Sequence, residues 1–213
     1  MVKAENINKK TGIIVIISGP SGVGKSTICK ELAKRLKDAY LSISLTTRPK
    51  SKIEVDGNDY WFISKKEFQE RIDKGLFLEY AEVFGNLYGT PKDKITEALN
   101  AGKTVILEID VQGAKQTKAV FPDAEMIFIL PPTSKTLAER LNHRGRDAEE
   151  VAQERLGGAS SEIAAAWQYY KHMVINQDLQ QAINECIEII EKARAKKPHS
   201  TRNKQSITGE HKT

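Results

Sequence analysis

The octapeptide GPSGVGKS at 19–26 constrains this chain more than any other feature. It matches G-x-x-x-x-G-K-[ST], and its context matters as much as its letters. Directly before it runs GIIVIIS at 12–18, a continuous apolar and β-branched stretch suited to a strand buried on both faces. Directly after it, Ile28, Leu32 and Leu36 recur at four-residue spacing, which predicts a helix over 25–37. Strand, glycine loop and helix in that order make a phosphate cradle. Backbone N–H groups at a helix start point positive partial charge at phosphate oxygens. Gly22 and Gly24 permit close backbone approach. Lys25 brings an ammonium to the β/γ-phosphates, and the Ser26 hydroxyl is suited to ligate Mg²⁺. Gly19, Pro20, Ser21, Gly22, Val23, Gly24, Lys25, Ser26 and Thr27 are therefore the expected ATP-binding run.

The remaining pattern predicts the fold class. YLSISL at 40–45, TVILEI at 104–109, MIFIL at 126–130 and HMVIN at 172–176 read as further strands with helical stretches between several of them. That alternation predicts an α/β protein: a three-layer P-loop fold around a mostly parallel sheet. Residues 46–91 break the rhythm. DYWFI at 59–63 reads as a short strand, and Ser64 with Glu67 is a capping-box pattern for a helix ending before Gly75. FLEYAEVFGNLYGT at 77–90 reads as one or two strands, with Thr90 and Pro91 as N-cap and N1 of a helix stopped by Gly102. The expected organisation is a core of 12–45 and 92–192, a strand-rich insertion at 46–91, and a helical, arginine-bearing lid over about 133–158. Residues 1–11 form an N-terminal extension and 193–213 a basic tail. Gly157 and Gly158 fall inside a helical pattern and mark either a bend or tolerated positions.

Composition narrows the function classes. The net charge of +5 invites a nucleic-acid reading, but residues 192–213 hold seven Lys/Arg and one Glu. The rest is near balance, with 26 basic against 27 acidic residues, so the charge belongs to a polar segment expected to be disordered. No specific nucleic-acid partner is expected. No run of about 18 apolar residues exists, so no membrane span is expected. Two cysteines, Cys29 and Cys186, are too few for a disulfide framework and fit a reducing cytoplasm. Oligomeric state has no sequence signal.

A P-loop specifies phosphates rather than a reaction. Arg140, Arg144 and Arg155 cluster late in the chain, and a transferring phosphoryl group needs positive charge on its equatorial oxygens. Glu79 stands among Phe77, Leu78 and Tyr80, with two alternatives open: a solvent-facing residue of an ordinary strand, or a carboxylate that accepts hydrogen bonds from a ligand.

Together these blocks resemble the guanylate kinases. The likeness runs over roughly 12–192 and is carried by SGPSGVGKST at 18–27, SISLTTRP at 42–49, DGNDYWF at 56–62, FLEYAEVFGNLYGTP at 77–91, ILEIDVQGA at 106–114, LAERLNHRG at 137–145 and ERL at 154–156. The resemblance implies ATP-dependent phosphorylation of GMP, with dGMP as a further acceptor and Mg²⁺ accompanying ATP. It implies that Glu79 accepts from guanine N1–H and the 2-amino group, that Thr90 donates to O6 and that Ser44 adds a polar contact. It further implies that Arg48, Tyr60 and Tyr88 hold the GMP phosphate and that Asp110, with Glu108 nearby, faces GMP and the metal region. Asn176 corresponds to a position beside the adenine of ATP. Lys25, Arg48, Arg140, Arg144 and Arg155 would carry the transfer. The alternatives are a P-loop kinase with another monophosphate acceptor, or a non-catalytic module of the same type; intact Gly24, Lys25 and Ser26 disfavour the latter.

One departure bears on affinity. The family pattern R-x-x-R begins at Arg48, but its second position is Ser51, flanked by Lys50 and Lys52. A lysine supplies a point charge, not a bidentate fork. Ser51→Arg is therefore expected to lower the KM for GMP in a steady-state assay; an unchanged or higher value counts against a phosphate-site role for this position.

Overall fold

A computed structural model of the protein describes residues 12–142 and 149–196, with the side chains of 141–156 outside the description. Its centre is β1 (Ile13–Ser18), every residue of which is buried. Ile13, Val15 and Ile17 pack into one apolar cluster, while Ile14 and Ile16 pack into another on the opposite face. A strand that alternates between two cores must lie inside a sheet covered on both sides.

The five strands of that sheet lie in the order β2 (Ala39–Leu41), β7 (Thr104–Glu108), β1, β8 (Glu125–Leu130), β9 (His172–Ile175), all parallel. On one face lie α1 (Lys25–Arg35) and α7 (Leu179–Lys196), through Ile28, Leu32, Ile183 and Ile190. On the other lie α3 (Lys92–Asn100), α4 (Val111–Val120) and the end of α6 (Glu149–Tyr169), through Ile95, Ala114 and Ala166. This is the expected three-layer arrangement. β1 is the strand where successive connections diverge, and in such sheets ligands bind beyond the carboxyl ends at that point.

A second sheet, in the order β4 (Trp61–Phe62), β3 (Leu45–Thr46), β6 (Asn86–Pro91), β5 (Phe77–Val83), is built almost wholly from the insertion. Its β3–β4 pair is parallel and the other pairs are antiparallel. Its own core is small: Leu45, Phe77 and Phe68 of α2 (Lys65–Asp73). The Phe68 and Phe77 rings stack at 4.5 Å. α5 (Ser134–Asn142) follows β8, with Thr133 accepting from the Thr136 N–H as its cap.

Three local expectations change. YLSISL is two strands rather than one: β2 joins the core sheet and β3 the small sheet. The chain switches sheets at Ser42–Ser44, so its alternation serves two different cores. Thr90 does not cap α3. It belongs to β6, Pro91 occupies the N-cap without a side-chain bond, and the Thr90 hydroxyl is used elsewhere. DYWFI contributes only Trp61–Phe62 as strand. α6 runs continuously through Gly157 and Gly158, which are therefore tolerated positions rather than a break. No helix among the described residues is long and apolar enough to cross a membrane.

The small sheet depends on few buried side chains. Phe68→Ala is expected to destabilise it by about 3–5 kcal/mol. Hydrogen exchange checks this: β5 and β6 amides should lose protection while those of β1 keep theirs.

Candidate active site

The carboxyl ends of the core strands and the inner face of the small sheet enclose one cleft. Its floor is the glycine loop. Gly24 ends that loop at φ 103° and caps α1. A Cβ there would stand 2.6 Å from Asn176 Nδ2, so only glycine fits both the conformation and the space. Gly19, Ser21, Gly22, Gly24, Lys25 and Ser26 face the cleft. The Lys25 ammonium donates to the carbonyls of Gly19 and, at 3.0 Å, of Pro20. The Ser26 hydroxyl donates to Glu108 Oε1 at 2.7 Å. Pro20 and Val23 are buried parts of the loop frame, and Thr27 is exposed on the first turn of α1.

Two sequence-predicted residues support the loop from behind. Asn176 follows β9, is buried, and donates its side-chain amide to the Val23 carbonyl at 2.8 Å. Arg140 on α5 donates to the same carbonyl at 3.3 Å and to the Asn176 carbonyl at 3.1 Å. Neither side chain lines the cleft. Arg144 lies outside the described residues. Arg155 lies on α6 with its side chain outside the description.

The opposite wall holds Ser44, Tyr60, Glu79, Tyr88 and, from the core, Asp110. Glu79 and Thr90 are cross-strand partners on β5 and β6. Burial along β5 alternates, with Phe77, Glu79 and Ala81 inward and Tyr80 and Glu82 outward. This rules out the solvent-facing reading of Glu79, which is only 4% exposed. The Thr90 hydroxyl donates to Glu79 Oε1. Burial pushes the Glu79 carboxyl up to about 7; the Thr90 hydroxyl pulls it part of the way back and the negative charge of Asp110 adds to the rise. Asp110 caps α4, its Oδ1 accepting from the Gly113 N–H at 2.8 Å.

Tyr60 and Tyr88 meet edge to face with centroids 5.8 Å apart, and the Arg48 guanidinium lies 5.6 Å from the Tyr60 ring centre. The structure thus brings these three together. Burial, with nearby Glu108 next in weight, raises the Tyr60 hydroxyl above its ordinary value, so it stays a neutral donor. Arg48 is held by Glu54, which sequence reasoning missed: Nη2 meets Oε1 at 2.7 Å and Nη1 meets Oε2 at 3.1 Å. Burial opposes ionisation of Glu54, but the Arg48 fork and the Ser51 N–H outweigh it and hold the carboxyl down at about 2. Lys50 donates to the Glu54 carbonyl at 3.0 Å.

Glu162 on α6 was also missed. It faces the cleft, and burial raises its carboxyl despite the opposing charge of Lys25. Its only signal in the sequence is a seven-residue spacing from Arg155 on one helix. Among the described residues, the cleft lining carries Glu79, Glu108, Asp110 and Glu162 against Lys25. Such a surface suits a ligand that brings hydrogen-bond donors and a polyphosphate that arrives with cations.

The family model for guanylate kinase matches residues 11–193. Among curated proteins, a guanylate kinase of Carboxydothermus hydrogenoformans is 47% identical over 174 residues, covering 82% of this chain and 85% of that protein. One of Gloeobacter violaceus is 49% identical over 170 residues, covering 80% and 82%. Among solved structures, guanylate kinase from Anaplasma phagocytophilum superposes with a TM-score of 0.74 at 31% identity, covering 88% of this chain and 89% of that one.

Because Glu54 is ionised in the fold far below its ordinary range, its contribution to stability is full above pH 4.5 and is lost as pH falls toward 2. Glu54→Gln is expected to flatten that part of the acid limb when urea midpoints are compared across pH.

Proposed function

The chain belongs to the guanylate kinase family, and we propose from that premise that its cleft reads GMP through Glu79 while the glycine loop grips ATP. The reaction is ATP-dependent phosphorylation of GMP to GDP. The observation that carries the assignment is a carboxylate held inward in a strand, with a hydroxyl on one oxygen and, among the described residues, no cation among its charge neighbours. Guanine presents N1–H and the 2-amino group as two adjacent donors. An ionised Glu79 accepts from both, whereas adenine would leave it unpaired. Thr90 orients that carboxylate; its one hydroxyl proton goes to Glu79 rather than to O6 as expected from the family likeness, and Ser44 supplies a further polar contact.

Arg48, Tyr60 and Tyr88 hold the GMP phosphate in this reading. Glu54 keeps the guanidinium of Arg48 oriented while no phosphate is bound. Lys25 turns from the loop carbonyls to the β/γ-phosphates. Arg140 and Asn176 set the loop and the adenine end of the site. Arg144 and Arg155, on the segment from α5 into α6, supply charge to the migrating group once the lid has closed. Asp110 orients GMP at the start of α4.

The donors present fit Mg²⁺. Ser26 Oγ and the Glu108 carboxylate are hard oxygens within hydrogen-bond distance of one another, the donor type this ion prefers. Ser26 and Glu108 would hold it, and the bound ion would supply positive charge to the transferring phosphates. The transfer is direct and in line, with the protein positioning the two substrates and excluding water rather than forming a covalent intermediate.

The test compares GMP, dGMP, AMP and UMP as acceptors in the parent and in Glu79→Gln. The parent should prefer guanine nucleotides, and the variant should lose most of that preference; an unaltered preference removes Glu79 from recognition. The KM for GMP in the parent should fall as pH rises from 6 to 8, because a carboxyl at about 7 becomes an acceptor pair only when ionised. The GMP phosphate itself titrates near about 6. Glu79→Gln retains that component and should lose the other.

A further inference from the structure

We propose that Gly113 is a specificity-determining position of the GMP site, because its missing side chain is the space in which the Glu79 carboxylate lies. This rests on Glu79 being the guanine reader. Gly113 is the third residue of α4 and is buried. Its backbone lies in ordinary helix, so nothing in its conformation calls for glycine. Alanine is the better helix former at such a position. A Cβ placed there would stand 2.3 Å from Glu79 Oε2 and 2.9 Å from Glu79 Cδ, with Asp110 Oδ1 next at 3.4 Å. Both groups it would touch are carboxyls of the cleft wall.

This separates function from folding. The atom in the way is the far end of a flexible side chain, not a strand or a helix backbone. A methyl group would therefore displace the Glu79 carboxylate and leave α4 intact. The displaced carboxylate leaves the Thr90 hydroxyl and no longer sits in register with two donors on a purine edge. Gly113 acts through Glu79 and is a positioning residue. Its own N–H is held by Asp110, so one residue sets the spacing between the two acidic groups of the wall.

The experiment is a cycle of Gly113→Ala, Glu79→Ala and the double variant, assayed with GMP and AMP as acceptors. Gly113→Ala should keep the parent's thermal midpoint or exceed it, keep the KM for ATP, and raise the KM for GMP roughly 10- to 100-fold. The preference for GMP over AMP should fall in step. In the Glu79→Ala background the same substitution should change neither quantity, because the group it displaces is gone. Should Gly113→Ala fail to fold, the double variant must fold if the clash is with Glu79. The proposal is overturned if Gly113→Ala keeps the parent's KM and preference, if its penalty persists in the Glu79→Ala background, or if neither variant folds. A Glu79→Ala variant that still prefers GMP overturns the reading of Glu79 itself, and a loss of preference there with none in Gly113→Ala overturns only the role of Gly113.

Discussion

Burial of β1 on both faces is the constraint from which the rest follows. A strand with apolar residues on each side must be covered by helices above and below, and its carboxyl end then opens at the edge of a three-layer core. The glycine loop begins there. Its backbone is not held by the loop alone: the Val23 carbonyl accepts from Asn176 after β9 and from Arg140 on α5. The phosphate cradle is thus braced by elements far away in sequence, one of them at the base of the arginine-bearing segment.

The cleft uses burial in two opposite ways. Glu79 and Glu54 are both buried carboxylates. Glu79 has a neutral hydroxyl as its partner and is pushed up to about 7; Glu54 has a guanidinium fork and is held down at about 2. The first keeps one oxygen on the Thr90 hydroxyl and lines the cleft. The second is already satisfied, and its task is to hold Arg48 beside Tyr60 and Tyr88. Environment divides the roles, since the side chain is the same in each.

The small sheet meets the core through Leu78 of β5, which packs against the cluster under α3 and α4, and through polar contacts. Lys30 on α1 pairs with Asp59 beside Tyr60 at 2.7 Å, and Gln116 on α4 exchanges hydrogen bonds with the backbone of Tyr80 on β5. Half-exposed ion pairs of this kind add little stability.

Much of the site was legible because its chemistry is local in sequence. The strand–loop–helix run declares a phosphate cradle from nearest neighbours alone, and an apolar β-branched strand declares a parallel core. The three-layer fold, the small second sheet and the grouping of Arg48, Tyr60 and Tyr88 were accessible in that way or through family likeness. Other features were not. Thr90 before Pro91 reads as a cap, but cross-strand pairing with Glu79 claims its hydroxyl. YLSISL has a single alternation that divides between two sheets. Glu54, Glu162 and the bracing by Asn176 and Arg140 depend on partners 6 to 153 residues away, and Gly113 matters only because a side chain 34 positions earlier in the chain needs its space. Sequence by itself determines which segments are strands and helices and which loop takes phosphate, because those depend on periodicity and on chemistry within one turn. Only the tertiary structure decides which carboxylate is buried beside a hydroxyl, which meets an arginine and which glycine makes room, because burial, charge pairing and excluded volume are set by residues that the chain order keeps apart.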